Sequence, residues 1–141
     1  MKTHYFAQHG MALSEDKDEK RSLSAQGIEE TQTIARYLKK QQIEISQICH
    51  SGKLRALQTA DIFAEVLQVE LVVPLEGVKP GDPALSLIQQ LEADNVLYVG
   101  HLPNIQKVVS TLICHEDTAL VRFQNSAVIC LEMNESESMI K

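Results

Sequence analysis

Three short segments concentrate the residue types able to do chemistry. Gln8-His9-Gly10 and Gly100-His101-Leu102-Pro103 each set an imidazole beside a glycine, and Ser51-Gly52-Lys53-Leu54-Arg55 brings a hydroxyl, an ammonium and a guanidinium close together. An imidazole works as a nucleophile or proton carrier near neutral pH, and a guanidinium grips a tetrahedral oxyanion through paired N–H groups. Arg55 is the most informative of these. In the first turn of a helix a cation opposes the helix dipole, and the position becomes favourable once an anion sits between the guanidinium and the exposed backbone N–H groups. Lys53 adds a second positive charge there. His101, just before a helix start, is disfavoured as imidazolium for the same reason, and a bound phosphoryl group reverses that preference.

Alternating elements must position these side chains. Residues 4–7 (HYFA) read as a first strand, followed by a polar loop with the charge run Glu15–Arg21. Ser24 caps a first helix, with Leu23 and Ile28 at staple positions, and Ile28, Thr31, Ile34, Ala35 and Leu38 recur at helical spacing up to Gln41. Residues 45–49 are a second strand, and Ser51 is expected to cap a second helix with Leu54, Leu57, Ala60, Ala64 and Leu67 as its apolar face. Residues 69–73 form a third strand. Asp82, ahead of Pro83, is expected to cap a third helix with Leu85, Ile88 and Leu91 facing inward. Residues 96–99 (VLYV) are apolar throughout, as in a central strand covered on both faces. Pro103 opens a fourth helix with the stripe Ile105, Val108, Val109 and Leu112. Strands at 118–123 and 127–132 are expected to form a hairpin around Gln124-Asn125-Ser126, and the polar tail from Asn134 to fray.

This alternation predicts an α/β fold, a three-layer α/β/α sandwich with a mostly parallel central sheet, as one domain over residues 1–141. In open α/β sheets ligands bind beyond the carboxyl ends of the strands. Those ends are Gln8-His9-Gly10, His50-Ser51-Gly52 with Arg55 one turn further, the residues before Glu76, and Gly100-His101. Topology alone therefore gathers two histidines, an arginine and a carboxylate on one edge.

Composition sets bounds. A chain of 141 residues with 44% hydrophobic residues fills one core. Its net charge of -6 argues against a general nucleic-acid binder. The N-terminal MKTHYFAQHG is neither a signal peptide nor a membrane span, so a cytoplasmic location is expected, without membrane association. Cys49, Cys114 and Cys130 are read as buried free thiols; no CxxC pair supports a zinc site, and neither a metal nor a cofactor is expected. His4, His50 and His115 have no motif support and read as structural, and the 15–20 charge run reads as a solvated loop.

The ordered elements resemble the histidine phosphatase superfamily, with its phosphoglycerate mutase-like fold, and are most similar to its short SixA-type phosphohistidine phosphatases. Gln8-His9-Gly10 resembles the family's Arg-His-Gly, Leu23-Ser24-Ala25-Gln26-Gly27 its Leu-Ser/Thr-x-x-Gly, SGKLRALQT (51–59) its Ser-x-x-x-Arg-Ala-x-Gln-Thr, and Gly100-His101-Leu102-Pro103 its second histidine motif. The resemblance implies that His9 attacks phosphorus and becomes a phosphohistidine that water then hydrolyses. It implies that Arg55 binds nonbridging oxygens and that His101 stabilises charge from the other side. Gln8, Gly10, Arg21, Ser51 and Glu76 are the implied substrate-binding positions, Glu76 as an acidic pocket residue. The implied substrate is a phosphorylated signalling protein or a small phosphate ester, because the chain is too short for the large cap insertion of sugar-phosphate relatives. Oligomeric state is not legible.

One position departs from the family. Gln8 replaces an arginine, and a missing charged contact of this kind costs roughly a hundredfold to a thousandfold in rate. Two rival readings follow: a weakly catalytic phosphate- or phosphoprotein-binding module, and a metal-dependent hydrolase using His9 and His101.

Overall fold

The computed structural model describes residues 1–114 and 123–133. In chain order these form β1 (Lys2–Gln8), α1 (Ala25–Lys40), β2 (Gln47–His50), α2 (Leu54–Leu67), β3 (Val72–Pro74), α3 (Ala84–Ile88), β4 (Val96–Gly100), α4 (Asn104–Cys114) and β5 (Val128–Met133). The strands make one sheet in the order β3-β2-β4-β1-β5. All neighbouring pairs are parallel except β1 with β5.

The period of two in the strands builds two cores. Tyr5, Ala7, Ile48, Leu97 and Val99 pack with Ala35 of α1 and Ala56, Ala60 and Phe63 of α2. The intervening residues Phe6, Cys49, Val96 and Tyr98 pack with Leu87 and Ile88 of α3 and Ile105, Val108 and Val109 of α4. Every residue of β4 is buried. The result is the expected three-layer sandwich, with α1 and α2 on one face and α3 and α4 on the other.

Helix α1 shows how sequence fixes the approach of a layer. Ser24 is its N-cap, accepting from the Gly27 N–H at 3.0 Å. Its buried residues are Gly27, Thr31 and Ala35, one per turn and none large. That small stripe lets the helix backbone lie against the Met11 segment: a Cβ on Gly27 would sit 2.1 Å from the Met11 carbonyl oxygen. Thr31 Oγ1 donates to the Gly27 carbonyl at 2.7 Å and meets Ser126 Oγ at 2.6 Å. Ile28, read as part of the apolar stripe, is instead exposed.

Several other expectations are corrected. β1 starts earlier than residue 4, and β2 and β3 lie further along than 45–49 and 69–73. Ser51 does not cap α2: the N-cap is Lys53, without a side-chain cap. Asp82 does not cap α3 either; the N-cap is Pro83, and Asp82 Oδ2 accepts from the Lys79 N–H, closing a turn one step earlier. Leu85 faces out while Leu87, Ile88 and Leu91 are buried, because α3 is a single short turn and cannot carry a long stripe. Of the cysteines only Cys49 is buried; Cys130 lies exposed on the edge strand. Among the described residues β5 pairs antiparallel with β1; the expected hairpin partner at 118–123 lies almost wholly outside them. Residues 118–122, His115 and the tail from Asn134 lie outside the described residues.

Placing Ala at a helical glycine ordinarily stabilises by about 1 kcal/mol. At Gly27 the clash with Met11 dominates, so Gly27→Ala is expected to lower unfolding free energy by about 2 kcal/mol or more in urea melts. An unchanged or raised midpoint would show that the close approach is not real.

Candidate active site

Strand register puts the two histidines side by side. Gln8 pairs with Gly100 across parallel β1 and β4, so the residues that follow, His9 and His101, leave the sheet together. The ladder continues one step, with the His9 N–H donating to the Gly100 carbonyl at 3.0 Å. The rings lie 4.9 Å apart between centroids, tilted by 52°. On the other side of β4, His50 pairs with Val99. Ser51 therefore emerges beside His101, and its Oγ lies 2.6 Å from His101 Nε2.

The proton of His9 can be placed. Its Nδ1 is 2.7 Å from the Gly10 carbonyl oxygen, which only accepts. Nδ1 therefore carries the hydrogen, and Nε2 is left with its lone pair. Burial holds this imidazole below its ordinary pKa, the bond to Gly10 works against that, and Arg55 and Arg21 push the value down further. His9 is thus neutral and nucleophilic at neutral pH. His101 is pushed down to about 3, chiefly by burial and then by His9, Arg55, Lys53 and Arg21. Its Nδ1 is buried without a hydrogen-bond partner, as is Arg55 Nε. Burial lowers the pKa of Arg55 as well, and Arg21 adds to this while Glu15 opposes it. A neutral imidazole and a guanidinium, each with a buried unpaired nitrogen, are what an oxyanion would complete.

Backbone contacts hold the turn of His9. The Gly10 N–H donates to Thr59 Oγ1 at 2.8 Å, and Thr59 in turn donates to the Arg55 carbonyl at 2.7 Å. One threonine thus ties the loop of His9 to the helix turn of Arg55. Gly10's own polar groups serve this bracing, its carbonyl holding His9 and its N–H held by Thr59. From below, Asn125 Nδ2 donates to the His9 carbonyl at 3.2 Å and the Ser126 N–H to the Gln8 carbonyl at 3.0 Å. Thr59, Asn125 and Ser126 were not singled out as site residues in the sequence, although Thr59 closes the SGKLRALQT element. The turn at 124–126 gave no chemical signal of its own.

Arg21 is brought to the site by an organised loop. The Asp18 carboxylate accepts from the Lys20 N–H at 3.1 Å, the Ser22 N–H at 3.0 Å and the Ser22 hydroxyl. These bonds hold the carboxyl below its ordinary pKa, the Ser22 hydroxyl contributing most. Arg21 itself has φ 54 and is fixed by its Nε donating to the Leu13 carbonyl at 3.0 Å. A cleft of about 370 Å³ opens here, lined by Glu15, Glu19, Lys20, Arg21, Lys53 and Arg55 among others. Gln8 is partly buried, and its Oε1 has no hydrogen-bond partner. Glu76 is exposed, and its contact is through its backbone carbonyl, which accepts from Gln90 Nε2 at 2.7 Å. Its carboxylate is not among the charges that shift the pKa of His9 or His101. Among the described residues no group of three or more His, Cys, Asp or Glu is gathered to hold a metal ion. Among them, too, no helix is long and apolar enough to cross a membrane.

The buried imidazoles make stability depend on pH. His4, His9, His50 and His101 are all buried and all held below the ordinary value of 6.5, each chiefly by burial. Below that value the unfolded chain takes up protons that the folded one refuses. Stability is therefore complete above 6.5 and is lost as pH falls toward the folded pKa, about 3 for His101. Each histidine contributes about 1.4 kcal/mol per pH unit within its window. Urea unfolding followed downward from neutral pH should show this slope, and His101→Gln should reduce it by one histidine's share; an unaltered slope would contradict the burial of a neutral His101.

Comparison with known proteins agrees with this geometry. Residues 5–77 match the Histidine phosphatase superfamily (branch 1). That span contains His9, Arg21 and the whole of SGKLRALQT; His101 lies beyond it. The chain is 31% identical to the phosphohistidine phosphatase SixA of Escherichia coli (strain K12), over 94% of this chain and 86% of that protein. A structure of the protein histidine phosphatase SixA complexed with tungstate superposes with a TM-score of 0.85 at 26% identity, covering 96% of this chain and 90% of that one. The α-ribazole phosphatase from Shigella flexneri shares the fold, with a TM-score of 0.75 at 13% identity over 95% of this chain and 92% of its own. Paired imidazoles at the ends of β1 and β4, the guanidinium opening α2 and these matches lead to one assignment: the chain belongs to the histidine phosphatase superfamily.

Proposed function

We propose that this protein is a phosphohistidine phosphatase acting on a phosphorylated protein, with His9 as its nucleophile. The observation that carries the reading is the bond from His9 Nδ1 to the Gly10 carbonyl, which leaves Nε2 free beside His101. His9 Nε2 attacks phosphorus, a P–N bond forms, and the bond to the leaving group breaks. Water then attacks the phosphoryl group on His9, releasing inorganic phosphate and returning the lone pair to Nε2. Arg55 binds nonbridging oxygens, and Arg21 and Lys53 add positive potential from the cleft. His101 stabilises the charge that develops on the phosphoryl group.

Leaving-group chemistry supports a phosphohistidine substrate. When donor and acceptor are both imidazoles and the donor ring carries a proton on its other nitrogen, it departs as neutral imidazole, one P–N bond replaces another of the same kind, and the transfer is close to balanced. An alkoxide, in contrast, needs a proton donor as it departs, and the expected acid Glu76 is exposed and is not among the charges that shift either histidine. Turnover is supported over binding alone by the likeness to proteins named as phosphatases. Gln8 supplies a neutral amide where the family places a cation, so it binds the phosphoryl group less strongly than an arginine would.

Exposure to a phosphoramidate donor followed by mass spectrometry should place phosphate on His9. His9→Ala should lose both the modification and the hydrolysis of a phosphohistidine protein. Arg55→Ala should reduce turnover by roughly a hundredfold or more, and Gln8→Arg should raise it. Phosphate on another residue, or full activity in His9→Ala, would sink the reading.

A further inference from the structure

Ser51 and His101 form a contact closed to solvent: Ser51 is 5% exposed and His101 1%. The hydroxyl is not spent on capping α2. Its oxygen accepts from the Lys53 N–H at 3.2 Å and lies 2.6 Å from His101 Nε2. The turn that carries it is fixed independently, by Gly52 at φ 90 and by the Gly52 N–H donating to His50 Nδ1 at 3.0 Å. Only glycine takes that backbone angle without strain. Ser51 is thus held against His101 by the backbone.

The remaining neighbours of His101 cannot do what this hydroxyl does. The ring faces His9 from the end of β1, Arg21 from the loop after it, and Lys53 and Arg55 from the start of α2. All are cationic or neutral, and all oppose a proton on the ring. Resting on the phosphatase reading above, we propose that Ser51 is a positioning residue for His101. Its hydroxyl donates to Nε2 while the ring is neutral and accepts from Nε2–H once a bound phosphoryl anion has drawn a proton onto the ring. In both states Nδ1, which has no protein partner, carries a hydrogen and serves the phosphoryl oxygens. The proton comes from solvent, and the hydroxyl hydrogen rotates off the ring as Nε2 gains its own.

The sign of the pH effect follows. The anion raises the pKa of His101, so anion binding weakens as pH rises through the raised value. Removing the acceptor of Nε2–H lowers that value, and the weakening then begins at a lower pH.

Tungstate, a dianion across the neutral range, is the probe. Calorimetric titration of wild type, Ser51→Ala and Ser51→Thr in buffers of different ionisation enthalpy reads the protons taken up on binding. Kinetics on an aryl phosphate over a pH series read kcat and KM, and thermal melting reads any general loosening. Wild type is expected to take up a proton with tungstate. Ser51→Ala should take up less, bind roughly tenfold more weakly and lose on the order of tenfold to a hundredfold in kcat, with KM less affected. Ser51→Thr should restore uptake, affinity and pH profile. Wild-type binding without proton uptake, no binding by wild type, a pH profile unmoved in Ser51→Ala, or a threonine variant as defective as alanine would each overturn the proposal. Absence of turnover in wild type would overturn the phosphatase reading, while the tungstate titration still decides the role of Ser51.

Discussion

The pairing of Gln8 with Gly100 between parallel β1 and β4 is the constraint on which the site depends. Because side chains alternate across a strand, a slip of one residue would send one imidazole to the opposite face of the sheet. Two buried layers on either side make such a slip expensive: were β1 to slip, Phe6 would exchange faces with Tyr5 and Ala7. The geometry of a few polar atoms is thereby secured by apolar packing. The same register extends to β2, which brings Ser51 to His101 and starts α2 with Arg55 in reach.

Electrostatics and stability meet in this arrangement. Burial keeps both imidazoles uncharged and strips solvent from part of Arg55. The folded protein thus accepts unpaired nitrogens at His101 and Arg55, and groups of this kind cost stability until a partner arrives. On the proposed function, an oxyanion is that partner. The acidic overall charge of -6 does not conflict with it, because Lys20, Arg21, Lys53 and Arg55 outnumber Glu15 and Glu19 in the cleft they line.

Much of this was legible in the sequence. Alternating apolar runs located every described element, Ser24 announced the start of α1, and glycine-histidine pairs marked the ends of β1 and β4. What was misread depends on contacts distant along the chain. Ser51 resembles a helix cap, and only its proximity to His101 reveals another use. Asp82 before Pro83 is a standard start signal, yet a local turn at Lys79 claims its carboxylate. Asp18 sat inside a charge run that reads as solvated, and it proves to organise the loop carrying Arg21. Gly27 matched a family element without showing why; the Met11 carbonyl supplies the reason. Neither Asn125 nor Ser126 could be connected to His9 before β5 was seen to pair with β1.

The position of β1 bears on how the molecule assembles. It is made first, but both of its neighbours, β4 and β5, come from residues 96–133. During synthesis the strand leading to His9 leaves the ribosome long before either neighbour exists, so its hydrogen-bonding edges wait unpaired. Long loops must close before this strand is satisfied, which slows folding and exposes the intermediate to association with other chains. The strand leading to His9 is accordingly the part of the nascent protein with most to gain from chaperone protection.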